Sequence, residues 1–337
     1  MLAQVLHTPA PAADGPLRAE ERPVPLPGPG QVRVAVAACG VCRTDLQLCE
    51  GDLPARRLPI VPGHQVVGHI DAVGAGVTLS IGDAVGIAWI AGACGVCRFC
   101  TTQRENLCVA ARFTGWDVDG GYAEAVVADA AFVHRLPDGA DPVAVAPLLC
   151  GGAIGYRALR VAGVGPDRPG RVGLLGFGAS ATCAIQVARH WGWEVHVLTR
   201  SVAEQDRARA LGAAWAGAYD DDPPDLLDAA VTFAPVGSVV VRALELLDRG
   251  GTVAVNAIHL DRIPAFSYDS LWWERSLRSV ANVTRSDVRE LLELAVALPI
   301  STTVEEHPLV DAGTALRRLA AGEVSGAAVL SVDPTPR

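Results

Sequence analysis

A chain of 337 residues with 28 arginines, no lysine, 37 acidic side chains and a net charge of −9 has the wrong sign for holding nucleic acid or an anionic membrane. The lack of lysine excludes a Schiff-base amine and a Walker-type phosphate loop. The length provides for two domains with cores of their own, and an apolar half rich in Ala, Val, Leu and Gly suits a globular α/β protein.

The first residues, MLAQVLHTPAPAADG, show no basic segment leading into an apolar core. No uncharged run reaches the roughly 18 residues of a membrane span, so a cytoplasmic location is expected. In that compartment nine cysteines point to metal ligands or buried thiols rather than disulfides.

Up to about residue 150 the chain reads as short strands broken by Pro and Gly: QVRVAVAACG (31–40), HQVVGHIDAVG (64–74), GDAVGIAWIAG (82–92) and YAEAVVADAAFVHRLP (122–137). The period then changes. LLCGGAIGYRAL (148–159) predicts a helix, and strands alternate with helices from RVGLLGFG onward. ASATCAIQVARHWG, VAEQDRARALGA and SVVVRALELLD are the predicted helices, between strands EVHVLTR, AAWAGAY, LDAAVTFAP, GGTVAVNAI and LRSVANV. Such alternation means βαβ units and a parallel sheet. The tail after about 285, with helices DVRELLELAVAL and AGTALRRLAAG and a last strand AAVLSV, is expected to pack back on the first domain.

CGVCRFCTTQRENLC sets Cys94, Cys97, Cys100 and Cys108 in a C-x2-C-x2-C-x7-C array. Four thiolates converging at about 2.3 Å make a closed tetrahedral zinc site, and a short glycine-containing loop can wrap such an ion by itself. An iron–sulfur cluster uses similar spacing, and free thiols are the third reading. Structural zinc is the expectation. A lone His64, or a lone Cys150 in an apolar stretch, is ordinarily a packing residue.

GLLGFGASA carries Gly176, Phe177, Gly178, Ala179, Ser180 and Ala181, a G-x-G-x-x-A turn after a strand and at the start of a helix. The first glycine makes the turn, the second admits a pyrophosphate, and the third position needs only a small residue. The next strand ends in Thr199, Arg200 and Ser201 where an acidic residue would bind ribose hydroxyls. Hydroxyls and a guanidinium suit a 2′-phosphate, so NADP(H) is expected over NAD(H).

CGVCRTDLQLCEGD, PGHQVVGHI, the four-cysteine loop, DGGYAEAVV and PLLCGGAIGYRAL follow one another ahead of that glycine turn. In this order they resemble the zinc-dependent alcohol dehydrogenases of the medium-chain dehydrogenase/reductase superfamily, across essentially the whole chain. The resemblance implies an α/β protein with a GroES-like β-rich catalytic domain (1–152 and 283–337) and a Rossmann domain with a doubly wound parallel sheet (153–282). It implies two zinc ions per chain and a homo-oligomer, dimer or tetramer. The reaction implied is direct hydride transfer between a nicotinamide and a small alcohol, aldehyde or ketone.

The resemblance assigns Cys42, His64 and Cys150 to the catalytic zinc. Two thiolates and a neutral imidazole leave one position open, which makes the ion a Lewis acid toward substrate oxygen. Thr44 would hydrogen-bond the alcohol oxygen and pass its proton onward, Asp45 would hold the His64 imidazole, and Arg43 would reach the cofactor pyrophosphate. Cys39, Cys49 and Cys183 match no ligand position and are read as buried thiols; His69 matches none either and is read as structural. Trp116 is a candidate pocket wall, and Trp272–Trp273 a packing or subunit contact.

Two positions depart from the family pattern. Gln47 stands where many relatives end a proton relay with His, and Gln65 where the GHE motif has Glu. An amide hydrogen-bonds but takes up no proton near neutral pH. The loss of a negative charge at Gln65 should make the zinc more electrophilic and favour carbonyl reduction. Two other readings stand beside this one: a related reductase of activated C=C or C=N bonds, and a non-enzymatic cofactor-binding relative.

Overall fold

The computed structural model describes residues 1–298 and 300–332. In chain order it begins with β1 (Leu2–Leu6), β2 (Leu17–Glu21), β3 (Gln31–Val41), helix α1 (Arg43–Glu50) and β4 (Val66–Val73). There follow β5 (Ala84–Ile87), β6 (Ile90–Gly92), β7 (Arg112–Phe113), β8 (Ala125–Asp129), β9 (Val133–Arg135) and the single turn α2 (Pro142–Val145). The alternating part runs α3 (Gly151–Val161), β10 (Arg171–Leu175), α4 (Ala179–His190), β11 (Glu194–Leu198), α5 (Val202–Ala210) and β12 (Trp215–Gly217). It continues with β13 (Leu227–Thr232), α6 (Gly237–Glu245), β14 (Leu247–Val255) and β15 (Ser276–Ser279). The end of the chain holds α7 (Arg285–Ala297), β16 (Val304–Pro308), α8 (Ala312–Ala320) and β17 (Ala327–Ser331).

The chain forms two compact units. Of the described residues, one comprises 1–150, 283–296 and 301–332; the other 151–282, 297, 298 and 300. In the first, a seven-stranded sheet has the order β16-β17-β3-β4-β5-β9, with β8 also pairing to β3. β3 explains the layering: Val32, Val34, Val36 and Ala38 alternate inward with half-buried neighbours, as a strand with one face on the core requires. Val32, Val34 and Val36 join Val5, Leu6, Ile60, Val66, Ile70 and Ile87 in one cluster, together with Ala312, Leu316 and Leu330 from later in the chain. Each fully buried Val or Leu contributes roughly 1.5–3 kcal/mol. β17 lies antiparallel to β3, so a strand late in the chain is built into the sheet formed by its first part.

The second unit is a parallel sheet of order β12-β11-β10-β13-β14-β15. Numbered within the unit this is 3-2-1-4-5-6, the doubly wound order whose central crevice binds dinucleotides. β10 shows why this strand is central: Val172 to Leu175 are buried without alternation, since helices cover both faces.

Three local differences from the sequence expectations have physical reasons. Residues 43–50 form a helix within a stretch read as strand and loop, because Cys42 and Asp45 cap its first turn and Gly51 ends it at φ 90°. The N-terminal hairpin of β1 and β2 is too short and too mixed in pattern to read from sequence. The helix expected from 148 starts at Gly151. Ahead of it Ala146–Leu149 form a 3-10 turn, and Cys150 sits at φ −129°, ψ −75°, outside both.

Among the described residues no single helix is long and apolar enough to cross a membrane.

Candidate metal and cofactor sites

Cys42 is the residue on which α1 begins. Its extended backbone turns the thiol back over the helix start, where Sγ accepts the Thr44 N–H at 3.4 Å. Asp45 closes the same turn, its Oδ2 accepting the Cys42 N–H at 2.9 Å. The other oxygen, Oδ1, accepts the Gly63 N–H at 3.2 Å and lies 3.1 Å from His64 Nδ1. One buried carboxylate thus caps a helix, fixes the loop before β4 and selects the imidazole tautomer. With Nδ1–H donated to Asp45, the lone pair of His64 sits on Nε2.

Gly63 makes the approach possible. It has φ 94°, and a Cβ there would stand 2.3 Å from the Tyr122 ring and 2.8 Å from Cys39 Sγ. His64 follows it, 1 % exposed, with Nε2 at 3.4 Å from both Cys42 Sγ and Cys150 Sγ. The three ligand atoms lie within 4.8 Å of one another.

The donor set fits a divalent cation. Around tetrahedral zinc, ligands at about 2.0–2.3 Å stand about 3.4–3.8 Å apart, the spacing seen here. The ionisations agree. The hydrogen bond from Cys150 draws the Cys42 thiol down to about 5, while Cys150 itself is pushed up. Two thiolates this close repel, so one keeps its proton until a cation removes the repulsion. Burial disfavours the charged His64, yet Asp45 and then Cys42 raise it overall.

Cys94, Cys97, Cys100 and Cys108 form a second cluster, with their sulfurs within 4.8 Å. Sγ–Sγ distances of 3.8 Å (Cys94–Cys100) and 3.5 Å (Cys97–Cys100) are far beyond a disulfide and match the edges of a four-thiolate zinc tetrahedron. Backbone N–H groups of Val96 and Cys97 draw Cys94 down to about 6. Burial pushes Cys100 up to about 12, so in this cluster too the sulfurs differ in readiness to ionise.

The remaining thiols are buried: Cys39 packs on Gly63 and Gly121, and Cys49 and Cys183 are raised mainly by desolvation. His69 is exposed on β4. Gln65 is 4 % exposed, and its Nε2 has no hydrogen-bond partner among the described residues. Gln47 is half-buried on α1 and Arg43 exposed at its first turn.

Aromatic rings extend from the three-ligand cluster. Trp89 lies 5.8 Å from His64, Trp116 lies 6.0 Å from Trp89, and Arg56 covers Trp116 at 3.7 Å. Trp89 was not singled out from sequence, since in GIAWIAG it reads as one more apolar strand residue. Trp272 and Trp273 are half exposed, and Arg249 stacks on Trp273 at 3.9 Å.

In the second unit the glycine turn has the form a dinucleotide needs. Gly176 is at φ 94°, and a Cβ there would meet the Ala234 backbone nitrogen at 2.9 Å. Gly178 is the N-cap of α4 with open space above it, while Phe177 and Ala181 are buried beneath. Ala179 and Ser180 start the helix, whose free N–H groups and dipole favour an anion.

The end of β11 differs from expectation. Thr199 donates its hydroxyl to Glu204 on α5, and the Ser201 hydroxyl caps that helix by accepting the Glu204 N–H at 3.3 Å. The Thr199 hydroxyl proton is thus committed internally, while the Ser201 oxygen serves as an acceptor. Arg200 remains exposed, and its charge acts on the phenol of half-buried Tyr219. Glu204, which takes the Thr199 hydroxyl, was not singled out in the sequence because it does not stand at the strand end where the fingerprint looks.

Two family descriptions match. "Alcohol dehydrogenase GroES-like domain" covers residues 28–138, and "Zinc-binding dehydrogenase" covers 181–297. A probable alcohol dehydrogenase of Mycobacterium tuberculosis is 48 % identical over 98 % of this chain and 97 % of its own length. This chain belongs to the zinc-dependent alcohol dehydrogenase family. It is an oxidoreductase acting on alcohols. An alcohol dehydrogenase of Geobacillus stearothermophilus is 36 % identical over 90 % of this alcohol dehydrogenase and 92 % of that protein. Among solved structures, the alcohol dehydrogenase of Aeropyrum pernix superposes with a TM-score of 0.85 at 29 % identity, covering 98 % and 100 % of the two chains. A cinnamyl alcohol dehydrogenase of Sorghum bicolor, 24 % identical with a TM-score of 0.87 over 99 % of each chain, shares the fold.

Proposed function

We propose that this alcohol dehydrogenase holds two zinc ions per chain, a catalytic one on Cys42, His64 and Cys150 and a structural one on Cys94, Cys97, Cys100 and Cys108. It uses NADP(H) in preference to NAD(H). Its substrates are small alcohols and the matching aldehydes or ketones, and it works as a cytoplasmic homo-oligomer. The observation that carries this reading is His64 Nε2 lying 3.4 Å from each of two thiols while Nδ1 is tied to Asp45.

When bound, zinc supplies a Lewis acid at the substrate oxygen and the nicotinamide gives or takes the hydride. The protein's part is positional and protonic. Asp45 keeps the imidazole oriented, and Trp89 beside His64 offers an apolar wall to the carbon bearing the hydroxyl. Thr44, on the first turn of α1, hydrogen-bonds the substrate oxygen and moves its proton. Gln47, one turn further along, cannot accept that proton, so it leaves through water or a cofactor hydroxyl.

Replacing Gln47 with His restores a base with a pKa near 6.5. Alcohol oxidation by Gln47→His is then expected to rise as pH increases through about 6.5, where the imidazole loses its charge. The wild type should lack that step, and Gln65→Glu should shift the balance toward oxidation. Three superimposable pH–rate profiles would remove both residues from the proton and charge arguments.

For the cofactor, the exposed Arg200 at the end of β11 supports a 2′-phosphate, while the nearby carboxylate of Glu204 works against it. The expected kcat/KM ratio of NADPH to NADH exceeds about ten-fold, the worth of one charge-assisted phosphate contact, and Arg200→Ala abolishes it. A clear NADH preference in the wild type would overturn the assignment.

A further inference from the structure

Side chains of α5 hold both strand ends beside the glycine turn. Glu204 accepts the Thr199 hydroxyl, and Gln205 Nε2 donates to the Thr199 carbonyl at 2.9 Å, which fixes the helix on the end of β11. From that base Arg207 Nη2 donates to the carbonyl of Phe177, the residue between the two glycines of the turn. The same guanidinium lies over the Phe177 ring, 5.4 Å from its centroid, and the ring is 1 % exposed. β10 and β11 are parallel neighbours, and the Gly176 N–H donates to the Leu198 carbonyl at 2.8 Å.

Stability alone does not account for this arginine. Arg209, on the same helix, pairs with Asp206 at 2.9 Å and donates to the Ala216 carbonyl at 2.6 Å. Arg207 has no carboxylate within ion-pair distance among the described residues, and its buried Nε has no hydrogen-bond partner there. A half-buried cation with an unpaired donor opposes folding. Its only returns within the chain are one carbonyl oxygen and the face of one ring.

What the contact controls is the peptide that joins Phe177 to Gly178. A peptide unit is planar and trans, so its C=O and N–H point to opposite sides. With glycine on either side of Phe177, this one turns over easily unless something holds it. Arg207 fixes the carbonyl, which turns the Gly178 N–H the other way, where it meets no acceptor among the described residues. A cation on the carbonyl also polarises the peptide and makes its N–H a better donor. We infer that Arg207 is a positioning residue for the dinucleotide: by holding the Phe177 carbonyl it keeps the Gly178 N–H aimed at the diphosphate. The inference rests on the dinucleotide lying at this turn, and not on which nucleotide is preferred. Acting from the carbonyl side of the peptide, the guanidinium serves NADPH and NADH equally.

Phe177–Gly178 is the only Phe–Gly step in the chain, so labelling phenylalanine at the carbonyl carbon and glycine at nitrogen reports this peptide as a single resonance. In the zinc-loaded full chain NADPH and NADH should each shift its N–H saturably. Arg207→Met keeps an apolar stem on the Phe177 ring but removes the donor. It should move the carbonyl resonance upfield in the free chain and raise the Kd of both nucleotides, read by their fluorescence, by about ten-fold. At saturating nucleotide kcat should not fall. Arg207→Lys, which restores a charged donor, should bind both within about three-fold of the wild type. Arg209→Met is the control: it loses ties of the same kind and should lower the thermal midpoint while leaving both Kd values in place. Unchanged Kd values in Arg207→Met would overturn the inference, as would an equal loss in Arg209→Met, which would mean a general loosening of α5. A loss confined to NADPH would overturn it too, making Arg207 a ligand of the 2′-phosphate. A wild type whose resonance answers to neither nucleotide would remove the dinucleotide from this turn, and the inference with it.

Discussion

His64→Ala is expected to lower kcat/KM for alcohol oxidation by about three orders of magnitude or more and to reduce the zinc content from two ions per chain to one. A Lewis acid at the substrate oxygen supplies several kcal/mol of transition-state stabilisation, and each 1.36 kcal/mol is ten-fold in rate. The substitution removes the ligand that bridges the two thiols, since Nε2 is the atom at 3.4 Å from each. It also leaves Asp45 Oδ1 with only the Gly63 N–H in place of two donors. Folding should survive, because the carboxylate still caps α1 through the Cys42 N–H. Metal analysis beside steady-state kinetics checks both parts. A variant that keeps two zinc ions and ordinary turnover would mean that this cluster is not the reactive metal site.

Cys97→Ala acts on the other cluster and on stability. The loop from Cys94 to Cys108 has little core of its own: Cys94 is exposed and Val96 is 83 % exposed. One tie elsewhere in the unit is Glu105, which accepts from the backbone and side chain of Arg285 at the start of α7. Structural zinc contributes on the order of 10 kcal/mol in small sites, of which this loop needs only part to stay folded. Loss of about 4 kcal/mol lowers the midpoint of a domain this size by about 10 °C. We expect a decrease of that order in the thermal midpoint, the loss of one zinc, and faster proteolysis between residues 94 and 108. The catalytic ion should be retained. An unchanged midpoint would show that the loop holds without an ion.

The two candidate metal sites differ in how far they can be read from the chain itself. Four cysteines within fifteen residues announce a site because a short loop brings them together whatever the rest of the fold does. Cys42, His64 and Cys150 carry no such local signal; they stood out through motifs that resemble a known family. What brings their donor atoms together is the capped start of α1, the left-handed Gly63 and the irregular backbone at Cys150, none of which has a period or a composition to read. The glycine turn after β10 lies between these cases, since its spacing states the need for a close approach and the parallel sheet supplies the strand and helix around it.

By itself the sequence determined the alternation of strand and helix, the α/β class, the four-cysteine loop and the absence of any lysine chemistry, all properties of neighbouring residues or of composition. Tertiary structure alone decided that Asp45 serves a helix, a loop and an imidazole at once, and that Thr199 spends its hydroxyl on Glu204. It also decided that Trp89 stands against His64 and that the buried Nε2 of His134 has no hydrogen-bond partner among the described residues. The reason is that hydrogen bonds and desolvation act over a few ångströms in space, while the chain separates the same groups by 3 positions or more.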